Sequence, residues 1–227
     1  MGFVLGVTAT VRPWHDIGFG RSIFVENNDQ QTFPAGLSCQ VLATDYDGTI
    51  AHDGVVDAVT LASLRRFHAS GRKLALVTGR QYGELKEIFP EADEFDVVIA
   101  ENGAHLRWPA QMRDELLGKR PPAEFIALLE RENVRPILVG QVIVATFEPH
   151  EDAMFHAIKT LGLEMQVIFN KGAVMALPSG VNKAAGLKRA LKELGIHSAD
   201  VVAVGDAEND HAMFEYCGFA AAVANHR

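Results

Sequence analysis

Cysteine is almost absent: Cys39 and Cys217 are the only two thiols in 227 residues. That count leaves no disulfide framework and makes a reducing cytoplasm the expected compartment, with both cysteines read as small buried residues. Positive charge is also scarce. Lys and Arg number 21 against 29 Asp and Glu, a net charge of −8, which argues against a nucleic-acid partner that would need a basic face. No apolar run is long enough to span a bilayer, so no membrane partner is expected. The mostly apolar residues 3–11 have no basic residue ahead of them, unlike a secretory leader. Gly2 is followed at position 6 by glycine, where a myristoylation pattern wants Ser or Thr. A third glycine is missing after Gly18-Phe19-Gly20, which excludes a dinucleotide loop there.

The rest is an ordinary globular composition, 48% hydrophobic, in a chain long enough for one large domain or a core with a smaller insert. Residues 1–38 read as an N-terminal extension, upstream arm or poorly ordered segment with no visible chemistry. From Gln40 the pattern becomes regular. A strand over 40–45 precedes a helix over about 56–70, in which Val56, Val59, Leu61, Leu64 and Phe67 form the apolar set and Gly71 the stop. The near-continuous apolar runs 73–77 and 96–100, separated by a short helix over about 81–89, suit strands of a parallel sheet covered on both faces. This is doubly wound α/β grammar. Between 106 and 179 the order becomes α-β-β-α-β-β, a self-contained α+β unit with a hairpin turn at Asn170-Lys171-Gly172. The α/β rhythm resumes with a helix over 182–194, a strand over 201–204, a short helix and a last apolar strand ending near residue 224. The predicted division is therefore a core over 39–105 and 180–227, with an inserted domain over 106–179.

Polar clusters fall at strand ends or helix starts of the core. Asp45, Asp47 and Thr49 follow the first strand, and Thr78, Gly79 and Arg80 follow the second. Lys183 opens a helix, and Asp206, Asn209 and Asp210 follow the strand over 201–204. In open α/β sheets ligands bind outside the carboxyl ends of the strands, so these groups can meet in one crevice. Each cluster alone has a plain reading as well: Asp-x-Asp-Gly as a solvated turn, Lys183 as a surface charge, Thr78 as a strand end. Glu101-Asn102-Gly103 reads as either a turn or a lining of the crevice, and Lys171 as either a hairpin tip or a substrate contact. Together, a carboxylate trio, a lysine and a hydroxyl suit metal-assisted phosphoryl chemistry.

Four segments in this order resemble the haloacid dehalogenase superfamily: Asp45-Tyr46-Asp47-Gly48-Thr49, Thr78 in Val-Thr-Gly-Arg, Lys183, and Gly205-Asp206-Ala207-Glu208-Asn209-Asp210. The resemblance spans roughly residues 40–225. It implies a Rossmann-like core with a minimal type IIB cap, similar to the caps of archaeal phosphoglycolate phosphatases, sucrose-phosphate phosphatases and phosphomannomutases. It implies Asp45 as nucleophile and Asp47 as general acid/base. Thr78, Gly79, Arg80, Lys183 and Asn209 would hold the substrate or its phosphoryl group. Mg²⁺ would rest on Asp45, Asp47 (through its carbonyl), Asp206 and Asp210. The activity implied is a Mg²⁺-dependent phosphatase acting on a small soluble phosphate ester through an aspartyl-phosphate, in a monomer or homodimer. A phosphomutase outcome and a non-catalytic phosphate-sensing role are the alternatives. One departure stands out: members of this branch usually continue with another helix and strand, whereas this chain ends at Arg227.

Overall fold

The computed structural model describes residues 39–206 and 210–223. The expected extension over 1–38 and the candidate Asn209 lie outside the described residues. The core begins with β1 (Val41–Asp45), a tight hairpin of β2 (Ala51–His52) and β3 (Val55–Val56), and α1 (Ala58–Ala69). It continues through β4 (Lys73–Val77), α2 (Tyr82–Ile88), β5 (Val97–Ala100), β6 (His105–Trp108) and β7 (Arg113–Leu116). Next come α3 (Ala123–Arg131), β8 (Leu138–Val139), β9 (Val144–Phe147), α4 (Glu151–Leu161), β10 (Met165–Asn170) and β11 (Ala173–Pro178). The chain then returns through α5 (Lys183–Leu194), β12 (Val201–Gly205), α6 (His211–Tyr216) and β13 (Phe219–Ala222).

Seven strands form the main sheet in the order β13-β12-β1-β4-β5-β6-β7. The first five are parallel, and β6 and β7 are antiparallel additions at one edge. Alternate residues of each central strand face opposite layers. Val41, Ala43, Ala75, Val77, Val97 and Ile99 pack with Leu187, Ala190 and Leu191 of α5 and Met213 of α6. Leu42, Leu74, Leu76 and Val98 pack with Leu64 of α1 and Leu85 of α2. Both faces are thus covered, which is why these strands read as unbroken apolar runs. A second, antiparallel sheet, β10-β11-β9-β8, lies against α3 and α4 around Phe125, Leu129, Val144, Met154 and Val174.

The α/β core with its inserted α+β unit matches the sequence reading, with one exception. Residues 105–116, nearly all of which that reading assigned to the insert, form the β6–β7 hairpin and extend the core sheet. The local sequence hides this. Leu106 and Trp108 alternate inward as a strand should, but Arg113, Asp114 and Glu115 make an edge strand that looks like a polar loop. At an exposed sheet edge such charges discourage pairing with another chain. Among the described residues no helix is long and apolar enough to cross a membrane.

Both cysteines are free and partly buried. Burial pushes the Cys217 thiol up to about 12 and raises that of Cys39. At both positions burial thus disfavours the thiolate.

Candidate active site

Sheet register assembles the site. Asp45 is paired with Val77, so Thr78 begins the loop beside the end of β1. Thr44 is paired with Val204, which places Gly205 and Asp206 on the other side. The chain after Asp45 folds back at once, with the Tyr46 carbonyl accepting from the amides of Thr49, Ile50 and Ala51. Gly48 takes a φ of 81°, a left-handed turn that favours glycine. The buried Tyr46 ring anchors the loop by donating its hydroxyl hydrogen to the Gly54 carbonyl, 2.9 Å away.

Asp45 is 4% exposed. The Lys183 ammonium lies 2.6 Å from its Oδ1 and 2.7 Å from Oδ1 of the fully buried Asp210. Thr49 donates its hydroxyl to Asp45 Oδ2 at 3.2 Å. Lys183 is fixed as the first residue of α5 because Asn182 caps that helix, accepting from the Ala185 amide at 2.8 Å. Asp210 Oδ2 accepts from the Asp206 amide at 3.2 Å. A Cβ at position 205 would lie 2.2 Å from that same oxygen, so Gly205 is required for Asp210 to turn inward.

Burial pushes the Asp45 carboxyl up to about 6. Asp210 and Asp206 add to this, and Lys183 opposes it. For Lys183 burial disfavours the ammonium, but Asp45 and Asp210 outweigh it, so its pKa is raised and it stays charged. Oxygens of Asp45, Asp206 and Asp210 all lie within 4.8 Å of one another. Lys183 already offsets part of the repulsion among these three carboxylates, and a divalent ion such as Mg²⁺ fits the same set of hard oxygen donors.

Asp47 has a partner of its own. Arg80 grips it with two parallel bonds, Nε to Oδ2 at 2.7 Å and a terminal nitrogen to Oδ1 at 2.8 Å. The guanidinium also lies 5.8 Å from the centre of the Tyr46 ring. Asp45 and Asp47 therefore have different partners, Lys183 for one and Arg80 for the other. Thr78 is fully buried, and its hydroxyl accepts from the Arg80 amide at 3.1 Å. Gly79 lies against Asn102, whose side-chain amide would be 3.3 Å from a Cβ at position 79.

Two contacts escaped the sequence reading in part. Lys171, at the β10–β11 tip, reaches across to Asp206 Oδ2 at 2.7 Å. The hairpin is legible from Asn170-Lys171-Gly172, but its target is not. Glu101, fully buried, accepts from three amides of the inserted domain. Neither contact has a sequence signal, since both join residues at least 35 positions apart.

Comparison with known proteins decides the family. A model of haloacid dehalogenase-like hydrolases matches residues 42–159 and 126–227. The chain belongs to this family. This hydrolase is 31% identical over 190 residues to a phosphoglycolate phosphatase of Archaeoglobus fulgidus, covering 82% of this chain and 84% of the relative. It is 25% identical over 236 residues to the 5-amino-6-(5-phospho-D-ribitylamino)uracil phosphatase of Escherichia coli, covering 83% and 86%. A solved haloacid dehalogenase-like hydrolase from Bacteroides thetaiotaomicron shares its fold with a TM-score of 0.65 at 15% identity, over 79% of this chain and 86% of that one. A subclass IIB sugar phosphatase shares it with a TM-score of 0.64 at 17% identity, over 80% and 86%. The inserted domain of this hydrolase is thus consistent with a cap of that subclass.

Proposed function

We propose that this hydrolase is a cytoplasmic, Mg²⁺-dependent phosphatase of small anionic phosphate monoesters, of the sugar phosphate or phosphoglycolate type. The observation that carries the reading is the buried set Asp45–Lys183–Asp210, with Asp206 beside it at the mouth of the core sheet. Asp45, Asp206 and Asp210 would hold the metal, which when bound neutralises phosphoryl charge that the carboxylates would otherwise repel.

The remaining roles fall to the chain's own groups. Asp45 attacks phosphorus through a carboxylate oxygen, the bond to the ester oxygen breaks, and an aspartyl-phosphate forms. Asp47 gives its proton to the departing oxygen. It then takes a proton from the water that attacks the aspartyl-phosphate, releasing inorganic phosphate and restoring Asp45. Arg80 holds the ionised Asp47 by both carboxylate oxygens and so fixes its direction; one of these bonds opens when Asp47 takes up the proton it gives to the departing oxygen. Lys183 keeps Asp45 in place and its charge available to the phosphoryl oxygens, with the Thr78-Gly79 loop on the opposite side. Lys171 is the cap's cation over the site, which suits an anionic substrate. The names of the phosphatase relatives point to the same substrate class.

The test is release of inorganic phosphate from a panel of phosphate esters and p-nitrophenyl phosphate, with Mg²⁺ and with EDTA. Asp45→Asn is expected to abolish turnover while leaving the thermal unfolding transition cooperative. Undiminished turnover by that variant, or by the EDTA-treated enzyme, would overturn the reading.

A further inference from the structure

Glu101 has no part in the chemistry above, yet it is among the most constrained polar residues of the molecule. It follows β5 directly, is 1% exposed and takes a φ of 53°, as does Asn102. Two consecutive non-glycine residues in the left-handed region are uncommon and persist only when their surroundings hold them there. Here the holding contact comes from the cap. Three consecutive cap amides donate to the Glu101 carboxylate: Gln141 at 2.7 Å, Val142 at 2.9 Å and Ile143 at 3.0 Å. Gly140 makes room for them, since a Cβ there would lie 2.7 Å from the carboxylate.

Glu101 and the two residues after it, Asn102 and Gly103, also touch the rest of the site. The Glu101 amide donates to the Arg80 carbonyl at 2.9 Å, and the Asn102 amide to the Thr78 carbonyl at 3.0 Å. Gly103 packs so closely on the start of α5 that a Cβ would lie 2.0 Å from the Asn182 carbonyl and 3.2 Å from the Lys183 amide. Asn102 also donates to Met175 Sδ on the cap sheet at 3.3 Å. One turn therefore joins the loop 78–80, the helix end that carries Lys183, and the cap.

We propose that Glu101 is a positioning residue: its carboxylate latches the cap over the active site and ties cap closure to the placement of Thr78, Arg80 and Lys183. The three donors are adjacent in the chain, so lifting the cap segment 140–143 breaks all three bonds together. That gives the contact two states rather than a gradual loosening. The kinetic half of this role rests on the phosphatase reading, and the latch itself does not.

The experiment compares full-length wild type, Glu101→Gln, Glu101→Ala and Gly140→Ala, with p-nitrophenyl phosphate and Mg²⁺ for kinetics and amide hydrogen exchange for the latch. A substrate that draws the cap closed restores the competent state at saturation, so losing the latch weakens apparent affinity rather than the chemical step. KM is expected to rise at least about fivefold in Glu101→Ala, with kcat within about twofold of wild type. Glu101→Gln, which keeps one acceptor oxygen, should fall between wild type and Glu101→Ala. Gly140→Ala should raise KM by crowding the carboxylate from the other side. Exchange at residues 141–143 should quicken while β1, β4 and β12 keep their protection. Unchanged exchange at 141–143 would overturn the latch, as would a loss of protection across the core strands. A kcat that falls while KM stays put would overturn the positioning role. If wild type hydrolyses no ester, the phosphatase reading fails and the exchange comparison still decides the latch.

Discussion

Replacing Lys183 with methionine should destabilise the protein strongly, and by an amount that depends on pH. The ammonium is 4% exposed and lies 2.6 Å and 2.7 Å from two carboxylates that are themselves almost fully buried. Methionine fills similar space but leaves Asp45 and Asp210 facing each other without a cation. Removing one partner of a buried ion pair costs about 3–5 kcal/mol. The sign of the pH dependence follows from Asp45, whose carboxyl is already raised from its ordinary 3.8 to about 6 with Lys183 present. A carboxyl with a raised folded-state pKa binds its proton more tightly folded than unfolded. It favours folding below about 3.8, and this advantage is lost as pH rises through about 6. Without Lys183 the carboxyl must rise further, so the lost window widens towards neutral pH. Urea unfolding in EDTA at pH 7.5 and pH 5.0 reads this directly. The gap between wild type and Lys183→Met should be the full few kcal/mol at pH 7.5 and clearly smaller at pH 5.0. An equal gap at both pH values would refute the idea that unpaired carboxylate charge is the cause and leave only packing.

Two further predictions follow from the site. Lys171→Met removes the half-exposed ammonium that sits on Asp206, so Mg²⁺ titrated calorimetrically into the metal-free protein should bind more tightly, by up to about fivefold given the small worth of exposed ion pairs; weaker binding would show that Lys171 does not compete for the carboxylate. Arg80→Lys replaces a two-pronged grip on Asp47 by a single point charge, and kcat should drop by about ten- to a hundredfold with the fold intact, as expected for losing a charge-assisted hydrogen bond worth about 1.5–3 kcal/mol. A variant with wild-type kcat would show that Asp47 needs no such fixing.

Legibility of the sequence divided along a physical line. The central parallel strands were readable because they are buried on both faces and must be apolar, as β4 is with Leu74, Ala75, Leu76 and Val77. The meeting of Asp45, Lys183 and Asp206 was foreseeable because strand ends and helix starts at one edge of an open sheet gather whatever polar residues they carry. The antiparallel edge was not. In β7 the run Arg113-Asp114-Glu115 needs only one neighbour and carries charges that a core strand never would. Contacts of the cap were hidden for another reason: Lys171 on Asp206, and Glu101 on three amides, depend on how an inserted unit is docked, which no local pattern encodes. The Arg80–Asp47 pair was hidden in the same way, since it joins two loops 33 positions apart.

The cap's two tethers meet at one point. Gly118, on the segment leaving β7, lies so close to Pro178, at the end of β11, that a Cβ there would stand 2.5 Å from the proline ring and 2.9 Å from Val142. All seven strands of the main sheet come from chain outside that junction. The cap is therefore attached like a pendant: the chain leaves after β7, returns beside its point of exit at Pro178, and then adds β12 and β13 on the other side of β1. Such an arrangement lets the pendant be lengthened, shortened or exchanged without moving the carboxylates beneath it. What must stay fixed in such a pendant are its contacts with the core, the amides 141–143 on Glu101 and Lys171 on Asp206.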